Sequence, residues 1–176
     1  MASSSSLASF LLLLLLLLTC NPANAGLTSA ALCLHSDTPA LCLRISAHLS
    51  AATPVKLTES AIRAALFVAE RARVKAASLS RSPKLNAQQR ANLGTCVSSY
   101  GDVVDGLADA ARLLGTARTR ADVMNYLSAA SFGVTACEDA FRETPRESFP
   151  LARVNRTLRK YVSNALAIGD QLSLQW

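Results

Sequence analysis

The sequence predicts an all-α protein, an up-down-up-down four-helix bundle that carries an N-terminal helical hairpin and two disulfides. Four long segments place apolar residues at alternating spacings of three and four, which is the pattern of a helix that buries one side. No segment shows the apolar and polar alternation that is typical of a strand. The connections between the four segments are short, which favours antiparallel neighbours.

Residues 1–25 have the features of a secretory signal peptide. An apolar run from Phe10 to Leu18 is followed by the small-residue cleavage site Ala23-Asn24-Ala25. The run is shorter than the roughly 20 residues of a membrane-spanning helix, so no membrane anchor is predicted. We expect a secreted, extracellular protein whose mature domain covers residues 26–176, with the hairpin in residues 26–52 and the bundle in residues 53–176.

The first two bundle helices have distinct sequence patterns. The first, from about Leu57 to Leu79, is rich in alanine, and its small side chains allow a close approach of neighbouring helices. The second is preceded by Asn86 and Gln89 at the spacing of a capping box and followed by Gly115. Its apolar positions are Leu93, Cys96, Tyr100, Val103, Leu107, Ala110 and Leu114.

The third and fourth helices repeat this pattern. The third is expected to begin near Thr119 and Asp122 and to end at Thr144-Pro145, because proline cannot continue a helix. Its apolar positions are Val123, Leu127, Ala130, Val134, Cys137 and Phe141. The fourth reaches almost to the C-terminus, with apolar positions at Leu151, Val154, Leu158, Tyr161, Ala165, Ile168 and Leu172. The hairpin turns at Ser36-Asp37-Thr38-Pro39.

Cys20 belongs to the signal peptide, so Cys33, Cys42, Cys96 and Cys137 remain as an even set in an oxidising compartment. Four cysteines allow three connectivities. Residues at equal distances from the turn of an antiparallel helix pair lie at the same height. Since Cys33 and Cys42 are centred on one predicted turn, and Cys96 and Cys137 on another, we expect the pairs Cys33–Cys42 and Cys96–Cys137.

The residue pattern predicts neither an enzyme nor a cofactor or metal site. Both histidines, His35 and His48, lie in the hairpin, remote from any evident nucleophile. No cluster of cysteine, histidine and carboxylate has metal-ligand spacing, and no glycine-rich phosphate loop is present in the sequence. The net charge of +6 is spread along the chain with few aromatics, which excludes a nucleic-acid partner and leaves a solvated surface or weak binding to an acidic polysaccharide.

Two polar features of the helices are candidates for function. Ser98, Asp102, Asp105 and Asp109 recur at spacings of four, three and four, so they line one side of the second helix. This row is either an ordinary solvated face or a docking surface for another protein. Asn155-Arg156-Thr157 is a sequon, which makes Asn155 a possible glycosylation site in a secreted chain.

Three stretches of the chain follow the pattern of a known family. They are Cys96-x3-Tyr100-x-Asp102-x2-Asp105, the run from Asp122-Val123 through Leu127-Ser128-Ala129-Ala130 to Cys137-Glu138-Asp139-x-Phe141, and Asn164-Ala165-Leu166-Ala167-Ile168. Together with the signal peptide and the C-x8-C hairpin, they resemble the plant invertase and pectin methylesterase inhibitor family, more closely its pectin methylesterase inhibitor branch. Two residues depart from the family pattern, Ser98 in place of an acidic residue and Ala136 in place of threonine.

The resemblance implies an apoplastic inhibitor that binds pectin methylesterase in a 1:1 complex, covers its active-site cleft and so controls pectin de-esterification in the cell wall. It implies that Tyr100, Asp102, Asp105 and Asp139 contact the enzyme. Invertase is the alternative target, but invertase inhibitors carry Pro-Lys-Phe in a loop that here reads Ala117-Arg118-Thr119-Arg120-Ala121. A further alternative is a cationic protein that binds pectin in the cell wall without inhibiting an enzyme.

Overall fold

The computed structural model describes residues 28–50, 52–114, 116, 120–144 and 146–174; the predicted signal peptide, residues 1–25, lies outside them. The helices are α1 (Ser29–Cys33), α2 (Pro39–Ser46), α3 (Pro54–Ser80), α4 (Ala87–Leu114), α5 (Arg120–Arg142) and α6 (Ala152–Gly169), followed by a 3₁₀ helix (Asp170–Leu174). These ranges contain no β-strand, which confirms the all-α prediction. None of the helices described is both long and apolar enough to cross a membrane.

Side-chain caps set where two of the long helices begin. The Thr53 side chain accepts a hydrogen bond from the backbone N–H of Lys56 at 3.2 Å, and Pro54 is the first residue of α3. The helix therefore starts three residues before the predicted Leu57. Before α4, Asn86 Oδ1 accepts from the Gln89 N–H at 2.8 Å, and Gln89 Oε1 accepts from the Asn86 N–H at 3.1 Å. This reciprocal pair is the predicted capping box.

The four long helices form a closed bundle in which α3 packs on α4, α4 on α5, α5 on α6, and α6 back on α3. Side-chain bonds between helix ends show the directions. Asn92, near the start of α4, donates to Thr144 beyond the end of α5 at 2.7 Å. Arg120, at the start of α5, forms an ion pair with Asp170 beyond the end of α6. Neighbouring helices are thus antiparallel, as the short connections predicted.

The core includes all the apolar positions that the periodicity predicted for α4 and α5, together with buried residues of the hairpin, α3 and α6. On α6 the buried side is shifted, because Val154 and Tyr161 are only half-buried while Asn155 and Val162 are buried. Asn155 can occupy a core position because Tyr100 and Glu138 satisfy its amide, as described below. The other five predicted positions, Leu151, Leu158, Ala165, Ile168 and Leu172, are buried, so the apolar period was wrong only at these two places.

Both predicted disulfides are formed. Cys33–Cys42 joins α1 to α2 with a Cα–Cα distance of 5.5 Å, and Cys96–Cys137 joins α4 to α5 at 4.4 Å. The hairpin is docked on α6, where Asn164 Oδ1 accepts from the buried Ser36 hydroxyl at 2.6 Å. The hairpin also packs on α3, where the Ser60 hydroxyl donates to the Ile45 carbonyl at 3.3 Å, so it is attached to the bundle on the side of α3 and α6, away from the α4–α5 pair.

Candidate functional site

The predicted polar row on α4 lies on the surface. Ser98, Asp102 and Asp105 are exposed, whereas Asp109 is half-buried and accepts from the Arg112 guanidinium at 2.7 Å. The carboxylates of Asp102 and Asp105 make no hydrogen bond or ion pair with any other residue that the structure describes. They can therefore accept hydrogen bonds from a partner without first giving up an internal one.

An exposed aromatic residue of α5 lies beside this row. Phe132 is 77% exposed. Val103 and Ser99 of α4 lie against Gly133 of α5, so Asp102 stands at the same height in the bundle as Phe132. Gly106 lies against Ala130 in the same way, which places Asp105 about one turn further along the pair.

We call this surface the acidic face and define it by Ser98, Asp102, Asp105, Tyr126 and Phe132. Tyr126 belongs to it because its side chain is 37% exposed and its carbonyl borders Gly106 across the helix pair. Sequence reasoning did not single out Phe132. The signal was present, because this large aromatic lies outside the apolar period of Leu127, Ala130 and Val134.

Close packing keeps the two helices of the acidic face in register. A Cβ atom on Gly133 would lie 2.7 Å from Val103 Cγ2 and 2.8 Å from the Ser99 carbonyl oxygen, closer than any real side chain can be. A Cβ on Gly106 would lie 3.2 Å from the Tyr126 carbonyl oxygen. The glycines allow the backbones to touch, and the Cys96–Cys137 disulfide joins them at one level. The acidic face is accordingly rigid before any partner binds.

Tyr100 lies in the core beneath the acidic face, with no exposed surface. Its hydroxyl donates to Asn155 Oδ1 at 3.0 Å and lies 3.2 Å from Cys137 Sγ. Burial, and next the negative charge of Glu138, raise the pKa of Tyr100 well above its ordinary value. This burial contradicts the expected role of Tyr100 as an enzyme contact, because a partner cannot reach the side chain. Its place in the apolar period of α4 was the correct indication.

The buried network continues from Tyr100 to the surface. Asn155 Nδ2 donates to Glu138 Oε2 at 3.2 Å, and Glu138 forms an ion pair with Arg159 of α6. Asn155 is 1% exposed, with both amide atoms engaged. The folded chain therefore has no room for a glycan at Asn155, which contradicts the possible glycosylation site that the sequon suggested.

Asp139 is separated from the other predicted contacts. It follows Cys137, so it lies on the far side of the disulfide from Asp102, roughly 10 Å away along the helix axis. Its half-exposed carboxylate forms an ion pair with Arg142. The structure thus groups Asp102 and Asp105 but not Asp139. The two departures from the family pattern, Ser98 of α4 and Ala136 of α5, are both exposed.

The fold defines a class of protein, an all-α bundle whose second and third long helices are joined by a disulfide. Among the described residues, no group of three or more histidine, cysteine or carboxylate side chains is placed to hold a metal ion. The family model for plant invertase/pectin methylesterase inhibitors matches residues 28–168, and the chain belongs to this family. Membership supports an inhibitor function directed at one of these two enzyme types.

Two solved structures show the same fold. One is a mutant form of a pectin methylesterase inhibitor from Arabidopsis, with 18% identity and a TM-score of 0.69 over 82% of this chain and 96% of that chain. The other is a pectin methylesterase inhibitor from Arabidopsis thaliana, with 17% identity and a TM-score of 0.62 over 82% and 95% of the two chains. No curated protein sequence matches the chain. At these identities the likeness concerns the fold, and it supports the predicted bundle.

Proposed function

We infer that this chain inhibits pectin methylesterase by binding it in a 1:1 complex in which the acidic face covers the active-site cleft. The observation that carries this proposal is the placement of two unpaired carboxylates, Asp102 and Asp105, beside the exposed Phe132 on a pre-formed helix pair. Such a protein would act in the apoplast and limit the de-esterification of pectin. Family membership supports the inhibitor class.

The chemistry of the acidic face suits a polar cleft with an apolar recess. Aromatic side chains that fill a pocket often provide most of the binding energy of an interface, and Phe132 has the exposure needed for such an anchor. Asp102 and Asp105 would orient the complex through charge-assisted hydrogen bonds. Since the disulfide and the glycines already hold the helices in place, little conformational entropy is lost on binding.

Pectin methylesterase is preferred to invertase as the target because of one loop. Residues 117–121 read Ala117-Arg118-Thr119-Arg120-Ala121 and lack the Pro-Lys-Phe motif that the resemblance associates with invertase inhibitors. Residues 117–119 lie outside the described part of the chain. The preference therefore rests on sequence, and the experiment below includes both enzymes.

The test is a titration of the oxidised protein, secreted through its own leader, against a plant pectin methylesterase and an acid invertase in parallel. We expect esterase activity to fall to zero at one equivalent. Asp102→Asn combined with Asp105→Asn, and separately Phe132→Ala, should each weaken inhibition by about thirtyfold, the cost of losing a hot spot.

Matched controls on α3 separate a specific face from general effects. Glu59→Gln removes a carboxylate of α3 and Val74→Ala an exposed apolar side chain, and neither should change the inhibition constant by more than about twofold. If invertase activity is lost and esterase activity is not, invertase replaces pectin methylesterase as the target. Full activity of both enzymes would reject the inhibitor proposal, and equal effects of the α3 and acidic-face variants would reject the acidic face.

A further inference from the structure

A groove runs between α3 and α6, on the side of the bundle opposite the acidic face. It encloses about 390 Å³. Its floor is apolar and includes the half-buried Val68 and Val154, and Phe67, which is 63% exposed, stands at its edge. No part of the proposed inhibitor function uses this groove.

Three cations line the groove, namely Arg71 and Lys75 of α3 and Arg153 of α6. None of them forms an ion pair with a carboxylate that the structure describes. The nearest acidic residue of this surface, Glu70, accepts a hydrogen bond from Arg73 at 3.1 Å and is therefore already partnered. Arg71 and Lys75 are four residues apart on α3, and the packing of α6 on α3 brings Arg153 beside them, so the three charges act on the same space.

Phe67 and Arg71 form a combined recognition element. The guanidinium carbon of Arg71 lies 5.5 Å from the centre of the Phe67 ring, a distance at which the cation and the ring attract each other. This contact holds the planar guanidinium over the edge of the groove, where it can bind a carboxylate through two hydrogen bonds. The remaining exposed surface of the ring offers an apolar area of the size of a sugar ring.

We propose that the α3–α6 groove binds a linear polycarboxylate, the de-esterified form of pectin. Its sugar rings would pack on the apolar floor and on Phe67, and its carboxylates would bind Arg71, Lys75 and Arg153. An apolar floor with a few fixed charges is typical of sites for small and chain-like ligands. A concave groove accommodates a narrow polymer, whereas a flat lipid surface would not reach the floor. The site would hold the protein on the polymer and leave the acidic face on the opposite side uncovered.

The test measures binding of the oxidised protein to polygalacturonate by calorimetry, with no enzyme present, so that its outcome is independent of the proposed inhibitor function. We expect saturable binding that weakens as salt is added. Arg71→Gln, Lys75→Gln and Arg153→Gln combined should weaken binding by about tenfold or more. Phe67→Ala should weaken it as well, whereas Phe132→Ala should not.

The matched control combines Arg44→Gln, Arg81→Gln and Arg146→Gln, which removes three exposed positive charges that do not line the groove. It should leave binding within about twofold of the wild type. An equal loss of affinity for polygalacturonate in both triple variants would show that only the net charge matters. It would overturn the groove as the proposed binding site. Equal affinity for fully methyl-esterified pectin, or binding to anionic lipid vesicles but not to polygalacturonate, would also overturn it. Circular dichroism of each variant ensures that all of them are folded.

Discussion

The α4–α5 pair and the α3–α6 pair lie on opposite sides of the same bundle, yet they are packed by different means. At α4–α5, Gly106 and Gly133 bring the backbones into contact and a disulfide joins them. α3 instead buries a row of alanines, including Ala69, Ala72 and Ala76, and leaves a groove open beside α6. The first pair forms a closed, rigid face, and the second forms a recess.

The two surfaces also differ in charge while sharing one arrangement. Each sets an exposed phenylalanine beside charges that have no described ion-pair partner, Phe132 beside carboxylates and Phe67 beside cations. The net charge of +6 conceals this division. The whole-chain charge therefore does not give the local charge of a face, because opposite helix pairs can carry charges of opposite sign.

Removal of the Cys96–Cys137 disulfide is expected to have the largest effect and would test whether it holds the α4–α5 pair together. The cysteines are 41 residues apart in sequence, against 9 for Cys33–Cys42. The chain-entropy model then predicts losses of about 4 kcal/mol for Cys96→Ala with Cys137→Ala, and about 2.5 kcal/mol for Cys33→Ala with Cys42→Ala. Urea denaturation measures both. Equal losses would contradict the larger contribution assigned to Cys96–Cys137.

Gly133→Ala is the next largest perturbation and tests the close backbone contact directly. The added methyl group would collide with the Ser99 carbonyl, which cannot move independently of α4. The overpacking outweighs the gain in helix propensity, so we expect a loss of about 2 kcal/mol in the free energy of unfolding. Gly94→Ala is the matched control, because a Cβ there meets nothing within 4 Å. It should gain up to about 1 kcal/mol. A stabilised Gly133→Ala variant would contradict the described register.

Local sequence patterns predicted the elements and the cross-links of this fold well. The capping box depends on Asn86 and Gln89, which are only three residues apart. The Cys96–Cys137 pairing was predicted because the two cysteines are equally far from the connection between α4 and α5. The periodicity of α4 also predicted that Tyr100 is buried. The family resemblance suggested the opposite, and in this case the residue pattern was the better guide.

Features that depend on the pairing of distant helices could not be predicted. The Tyr100–Asn155 hydrogen bond joins residues 55 positions apart, so the sequon gave no sign that Asn155 is buried. The groove likewise needs Arg153 to lie beside Arg71 and Lys75, which depends on the register of α6 on α3. An apolar period shows which side of a helix is buried, but it does not show which polar residue of another helix will meet it.

The Tyr100–Asn155 hydrogen bond joins α4, and thus the acidic face, to α6, and its loss should have the smallest effect. Tyr100→Phe leaves Asn155 Oδ1 without this donor, so we expect a loss of about 1 kcal/mol at neutral pH. The pKa of Tyr100 is raised in the folded state, so its stabilising effect is complete below about pH 10, the unfolded value, and declines at higher pH. The stability difference between wild type and Tyr100→Phe should therefore shrink above about pH 10.

The matched control for this pH series is Tyr126→Phe, since Tyr126 is partly exposed on the acidic face. Its free energy of unfolding should stay within about 0.5 kcal/mol of the wild type at neutral pH. Denaturation curves between pH 7 and pH 11 or so are sufficient for the comparison, because the linkage slope begins near the unfolded pKa. A wild-type advantage over Tyr100→Phe that grows with alkalinity would mean that the tyrosinate is stabilised in the core. That result would contradict burial of a neutral Tyr100 and weaken its assignment as the link between the two sides of the bundle.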